Sequence, residues 1–186
     1  MQIENEVKFK TSKPGKLMEK KILDFGFKFK KEISQDDYYF SPPHKKFAGT
    51  KKYYLRLRKK SDGSAVFAYH VVINDLQTKE LELACNNFLT LKAILAKLDF
   101  KLDCVVKKNR QIFIDEKNNF ELVLDKVAGL GYFMEIEYVG KMTKATSQKF
   151  QELVDYLGLK KSQIVSGCGY PDLLMEKNNI MLMEKK

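Results

Sequence analysis

No apolar run in this sequence approaches the roughly 20 residues that a membrane span needs. Residues 1–10 alternate charged and apolar side chains, which no secretory signal does. Cysteine and histidine are scarce. Cys85, Cys104 and Cys168 are odd in number and show no C-x-x-C spacing, and His44 and His70 lie far apart. A disulfide scaffold and a zinc cluster are thereby disfavoured. Internal repeats, low-complexity stretches and linkers are absent as well. The expectation is one soluble domain over residues 1–186 in a reducing, cytoplasmic setting.

What is present is charge. The chain has 186 residues, with 34 Lys and Arg against 24 Asp and Glu, a net charge of +10. Its hydrophobic content of 44% is a globular value, enough for a sizeable core. A basic balance suggests a polyanionic partner: nucleic acid, a membrane surface or a phosphorylated small molecule.

Period-two alternation predicts strands at Ile3–Lys10, Tyr53–Lys59, Ala65–Ile73, Lys79–Leu83, Leu102–Ile114, Phe120–Val127 and Phe133–Val139. Phe27–Ile33 and Asp36–Phe40 read as two further extended pieces, broken by Ser41-Pro42-Pro43 before a basic loop. Helical spacing follows Pro14 as far as Gly26, recurs from Phe88 to Leu98 with Asn86 or Asn87 as cap, and again from Phe150 to Leu157 with Gly158 as stop. A short C-terminal helix is expected at Leu173–Lys177. The class is α+β with antiparallel strands predominating.

Charges recur at spacing two on strand after strand: Glu4, Glu6 and Lys8; Arg56 and Arg58; Glu80 and Glu82; Lys108 and Arg110; Glu121 and Asp125; Glu135 and Glu137. The opposite faces carry Val7 and Phe9, Leu55 and Leu57, Leu81 and Leu83, Val105, Leu122 and Leu124, and Ile136. If the helices receive those apolar faces, the charged faces gather inside a closed sheet as a charged tunnel. So much buried charge needs partners. Clustered carboxylates suit a hard divalent cation such as Mg²⁺ or Mn²⁺, and clustered Arg and Lys suit a polyphosphate bridged to it. Phosphoryl or nucleotidyl transfer is the chemistry suggested.

The same residues resemble the CYTH superfamily of triphosphate tunnel metalloenzymes. Glu4-x-Glu6-x-Lys8 looks like its E-x-E-x-K signature, Asp37-x-Tyr39-Phe40 its D-x-Y-F strand, and Leu55-Arg56-Leu57-Arg58 its L-R-x-R strand. Lys108-x-Arg110-x-x-Phe113 is similar to the K-x-R-x-x-aromatic strand, and Leu124 to Glu137, with Gly129-Leu130-Gly131 inside, to the acidic strand pair joined by G-L-G. Tyr170 with Asp172-Leu173-Leu174 resembles the C-terminal signature of the class IV adenylyl cyclase branch.

The resemblance implies a closed eight-stranded antiparallel β-barrel, a tunnel with a charged lumen and helices packed outside. It implies that Lys8, Arg56, Arg58, Lys108 and Arg110 bind the substrate's phosphates. Glu4, Glu6, Asp125, Glu135 and Glu137 would hold Mg²⁺ or Mn²⁺, with Glu4, Glu6 and Lys8 at the catalytic position. Two positions depart from the family pattern. His70 stands where a phosphate-binding lysine is expected, and only Lys79 is available near Glu80 and Glu82 in place of a tunnel arginine. With an ordinary pKa of roughly 6.5, an imidazole there is mostly neutral at pH 7 and gains charge toward pH 6.

Outside this pattern, His44 reads as part of a solvated loop, the three cysteines as inert thiols, and Gly129 and Gly131 as a tight hairpin. The leading functional expectation is conversion of ATP to cyclic AMP and pyrophosphate. The alternatives are a triphosphatase or a non-catalytic triphosphate-binding module. ATP, thiamine triphosphate and tripolyphosphate are the candidate partners. A membrane is not expected, nucleic acid is disfavoured for lack of exposed stacking platforms, and a homodimer is left open.

Overall fold

A computed structural model describes residues 2–47 and 49–183, and the side chains of all of these except residues 2–4, 139 and 179–183. Eight strands are formed: β1 (Gln2–Thr11), β2 (Lys28–Ser41), β3 (Tyr53–Lys60), β4 (Ala65–Asn74), β5 (Gln77–Cys85), β6 (Lys101–Asp115), β7 (Phe120–Val127) and β8 (Gly131–Val139). They close into an antiparallel barrel in the order β1-β5-β4-β3-β2-β6-β7-β8, with β8 returning to β1. Four helices lie outside: α1 (Lys16–Asp24), α2 (Phe88–Lys97), α3 (Lys144–Leu157) and α4 (Tyr170–Met183), with a 3-10 turn at Lys161–Gln163.

Local chemistry sets the element ends. Asn87 accepts the Thr90 N–H at the start of α2, and Thr143 accepts the Thr146 N–H at the start of α3. At the end of α3, Gly158 adopts φ +74, the left-handed conformation that a side chain disfavours, and the Leu159 N–H closes back on the Val154 carbonyl. The two extended pieces expected around Ser34 are one 14-residue strand, β2. Register shifts at Phe29/Lys31 and Tyr39/Phe40 let so long a strand bend around the barrel. The last helix is also longer than expected, because Tyr170 and Pro171 begin it.

The core lies between barrel and helices. Phe9, Leu122, Leu124, Met134 and Ile136 pack against Ile22 of α1 and Leu153, Val154 and Leu157 of α3. Leu95 of α2 packs on Phe40, Leu55 and Leu57. Each such side chain contributes ~1.5–3 kcal/mol when fully buried. The outer face of β5 differs from expectation: Leu81 and Leu83 are 51% and 66% exposed, since α1 and α3 cover the β1, β7 and β8 side and α2 covers the β3 side.

The lumen is not charged along its whole length. Along β6 the inward residues run Val106, Lys108, Arg110, Ile112 and Ile114. Val106 belongs to an apolar cluster with Tyr39, Val127, Phe133 and Tyr170, whereas Ile112 and Ile114 pack with Ile33 and Val123. A belt of charge is therefore held between two apolar layers.

Candidate active site

Cross-strand pairing places the charged residues opposite one another. Glu6 pairs with Glu137 and Glu137 with Glu121; Lys8 pairs with Glu135, Arg110 with Asp125, Arg58 with Asp37, and His70 with Glu80. Together with Tyr39, Tyr54, Thr78 and the segment from Val165 to Pro171, most of them line a cavity of about 270 Å³. Both departures from a simple interior, the tyrosines and the C-terminal segment, lie toward the Phe133 end, where the Tyr170 ring packs on Phe133.

The lumen cations are already partnered. Lys8 Nζ lies 2.5 Å from Glu6 and 2.9 Å from Glu135. Burial alone would lower the Lys8 pKa, but Glu135 and Glu6 outweigh it and raise it. Arg58 grips Asp37 in a bidentate pair at 2.6 and 2.8 Å. Asp37 is fully buried, a cost that would raise its pKa, yet Arg58 and Lys108 hold it well below the usual carboxylate range. Arg110 bridges Asp125 and Glu135, and the Tyr170 hydroxyl donates to Asp125 at 3.0 Å. Lys108, buried and crowded by Arg110, is pushed down to about 8.

The β3–β5 wall is wired more loosely. Arg56 reaches Glu80 at 2.9 Å and Glu82 at 3.1 Å, while its buried Nε–H has no acceptor among the described residues. His70 faces the lumen with Nε2 2.5 Å from Glu80. The approach is close, but Nε2 is buried without a well-aligned hydrogen bond among the described residues. Burial, reinforced by Arg56, lowers the His70 pKa to about 4. The expected gain of charge near pH 6 is thus displaced well below that range.

The inward residues include eight carboxylates, Glu6, Asp37, Glu80, Glu82, Glu121, Asp125, Glu135 and Glu137, against the five cations Lys8, Arg56, Arg58, Lys108 and Arg110. The surplus is negative. It concentrates on the adjacent strands β1, β8 and β7, where burial and the neighbouring Glu6, Glu121 and Glu135 push Glu137 up to about 8. Oxygen donors carrying more negative charge than their surroundings can neutralise fit a hard divalent cation, although no three described His, Cys, Asp or Glu side chains already stand in a coordinating group.

The site residues read from the sequence divide as follows. Glu6, Lys8, Arg56, Arg58, His70, Lys108, Arg110, Glu135 and Glu137 line the cavity. The side chain of Glu4 lies outside the described residues. Asp125, expected as a metal ligand, is fully buried in its pairs with Arg110 and Lys108 and its bond from Tyr170, so it does not reach the cavity. Lys79, expected to bind substrate, is exposed on the outer face of β5, because it is out of phase with the inward Glu80.

Sequence reasoning left Glu121 off the site, and Tyr39, Tyr54 and the Val165–Pro171 segment with it. Asp172 was noted only as part of a signature. Buried, it accepts the Tyr54 hydroxyl and the backbone N–H groups of Gly169 and Gly49, at 2.9 and 2.8 Å, and so clasps the C-terminal segment to the cavity.

Known proteins are similar to this chain in sequence and in fold. The Methanocaldococcus jannaschii protein named "Putative adenylate cyclase MJ0240" is 30% identical over 170 residues, covering 88% of this chain and 94% of that one. The PH1012 protein of Pyrococcus horikoshii has a similar structure, with a TM-score of 0.78 and 27% identity over 92% of this chain and 99% of that one. HpAC1 of Hippeastrum shares the fold, with a TM-score of 0.68 and 14% identity over 95% and 96% of the two chains. The CYTH domain model matches residues 2–166, and with the closed barrel and its charged belt already in place, the chain belongs to the CYTH family.

Proposed function

We propose that this protein is a divalent-metal-dependent enzyme that takes the triphosphate of ATP into its lumen and forms cyclic AMP and pyrophosphate. The family acts on triphosphates and is generally metal dependent, and the M. jannaschii relative carries an adenylate cyclase name. The observation that carries the reading is the pairing of a five-cation belt, including the acceptorless Arg56 Nε–H, with the carboxylate surplus at Glu6, Glu121 and Glu137.

Phosphate oxygens would exchange with carboxylates for Arg56, Arg58, Lys108, Arg110 and Lys8, each charged hydrogen bond being worth ~1.5–3 kcal/mol. Glu6, Glu121 and Glu137 would hold the divalent cation, which supplies charge neutralisation on phosphate and a lowered pKa for the attacking hydroxyl. Arg and Lys groups fixed beside the leaving pyrophosphate stabilise the negative charge it gains. His70, neutral and beside Glu80, serves as a weak hydrogen-bonding substitute for a cation.

A second reading, triphosphate hydrolysis, draws support from size. A cavity of about 270 Å³ lies just under the ~300–1,000 Å³ of sites that enclose drug-sized ligands, which favours a phosphate chain alone. HpAC1, described as having a dominant triphosphatase activity, has the same fold, so the barrel does not choose between the two reactions.

The test is incubation with Mg²⁺ or Mn²⁺ and, separately, ATP, thiamine triphosphate and tripolyphosphate, with products resolved by chromatography. Cyclic AMP and pyrophosphate from ATP support the cyclase. Orthophosphate without cyclic AMP transfers the assignment to hydrolysis. Equal turnover in excess chelator would overturn both.

A further inference from the structure

On the outer side of the wall that carries Lys8 and Glu135 there is a second cavity, again about 270 Å³. It opens where the end of β1, the start of α1 and the turn after α3 meet. Its floor is apolar: Met134 and Leu157 are almost fully buried, and Met18 packs beside them. Lys13 and Lys21 stand at its rim, and no carboxylate is among the described residues that line it. Thr11 also lines it, and the Thr11 hydroxyl oxygen is shielded from solvent with no hydrogen-bond partner among the described residues.

We propose that this cavity binds a small anion with an aromatic body, a carboxylate or a phosphate monoester. The Lys13 and Lys21 ammonium groups take the acid. The ring lies on the floor, where the Met18 and Met134 thioethers provide the soft contacts that aromatic edges favour. At ~30 Å³ per water-sized group, the space takes on the order of ten such groups, the size of a phenyl ring bearing an acid. The ligand would sit one strand's thickness from the tunnel, since Thr11 and Met134 face outward on the strands whose inward residues include Lys8 and Glu135.

The site can be tested without any substrate of the tunnel. The full chain is prepared with ¹³C-methyl methionine and titrated separately with 3-phenylpropionate and phenyl phosphate, with benzyl alcohol as the uncharged control. Saturable shifts of the Met18 and Met134 methyls, with Met175 unmoved, are expected at dissociation constants on the order of 0.1–1 mM. Whichever probe binds tighter identifies the acid group preferred. A Lys13→Ala, Lys21→Ala double variant alters no buried apolar side chain and should weaken binding at least about fivefold. Absence of saturation by either acid up to roughly 10 mM, binding of benzyl alcohol as tight as that of the acids, or unchanged affinity in the double alanine variant would overturn the proposal.

Discussion

On the wall formed by β6, β7, β8 and β1, cations are shared between acids: Arg110 between Asp125 and Glu135, Lys8 between Glu6 and Glu135. On the facing wall, Arg56 keeps a buried N–H without an acceptor among the described residues, Glu82 is half exposed, and His70 is uncharged at neutral pH. The same residue types thus do different work. A cation on the first wall is committed to neutralising buried carboxylates, and its loss strands them. On the second wall Arg58 is likewise committed, to the buried Asp37, but Arg56 has capacity left for a ligand.

The largest effects should separate the walls directly. Arg110→Met leaves Asp125 without its main partner and Glu135 with Lys8 alone, and is expected to cost about 3–5 kcal/mol in urea denaturation. Arg56→Met should cost less, about 1–3 kcal/mol, because Glu82 can turn to water and the buried Glu80 still has His70 beside it, while tripolyphosphate affinity by calorimetry falls at least ~10-fold. Equal stability losses in the two variants would erase the distinction.

Next in size is the carboxylate surplus. Glu137 has its pKa raised from 4.5 to about 8, so its contribution to folding is fully present below pH 4.5 and is lost as pH rises through about 8. Glu137→Gln should therefore match the parent in stability at pH 4 and exceed it by about 1–3 kcal/mol at pH 8. In the same variant, metal-dependent turnover should fall at least ~100-fold. Denaturation at the two pH values and a Mg²⁺ titration of rate would check both halves.

His70 sharpens the comparison from the other wall with the opposite sign. Its pKa is lowered from 6.5 to about 4, so the stability it contributes is present above pH 6.5 and lost as pH falls through about 4. Stability should decline by about 1 kcal/mol per pH unit across that window, and His70→Gln should remove this part of the slope. Imidazole protonation should add nothing to tripolyphosphate affinity between pH 8 and 6. The smallest effect belongs to Lys79→Ala: stability within about 0.5 kcal/mol of the parent and unaltered tripolyphosphate affinity, as its outward position requires.

Much of this architecture was legible because a closed sheet converts alternation into inside and outside. Lys8, Arg56, Arg58, Lys108 and Arg110 face inward as the spacing of charges required. The same rule, applied strictly, excludes Lys79, which is one residue out of phase with Glu80; a resemblance to a family position overrode it. Glu121 was harder to place, since its meaning comes from pairing with Glu137, and register is invisible in one sequence. The Val165–Pro171 segment has no periodicity to read, and Asp125 differs from Glu137 only through its partners, which depend on the fold. Exposure of Leu81 and Leu83 reflects where helices lie, which alternation does not specify.

The barrel closes at its extremes of sequence. β1 forms its long seam with β8, more than 120 residues away, and among the described residues joins β5 through four pairs, from Gln2–Glu80 to Asn5–Gln77. During synthesis at ~5–20 residues per second, the first strand emerges long before its principal neighbour exists. It must wait with an unpaired edge, the condition that invites pairing with another nascent chain. Glu4, Glu6, Lys8 and Lys10 alternate along that edge, and charges so spaced discourage a stray strand from docking. Residues that later line the lumen, Glu6 and Lys8 among them, would thus guard the chain while it is being made.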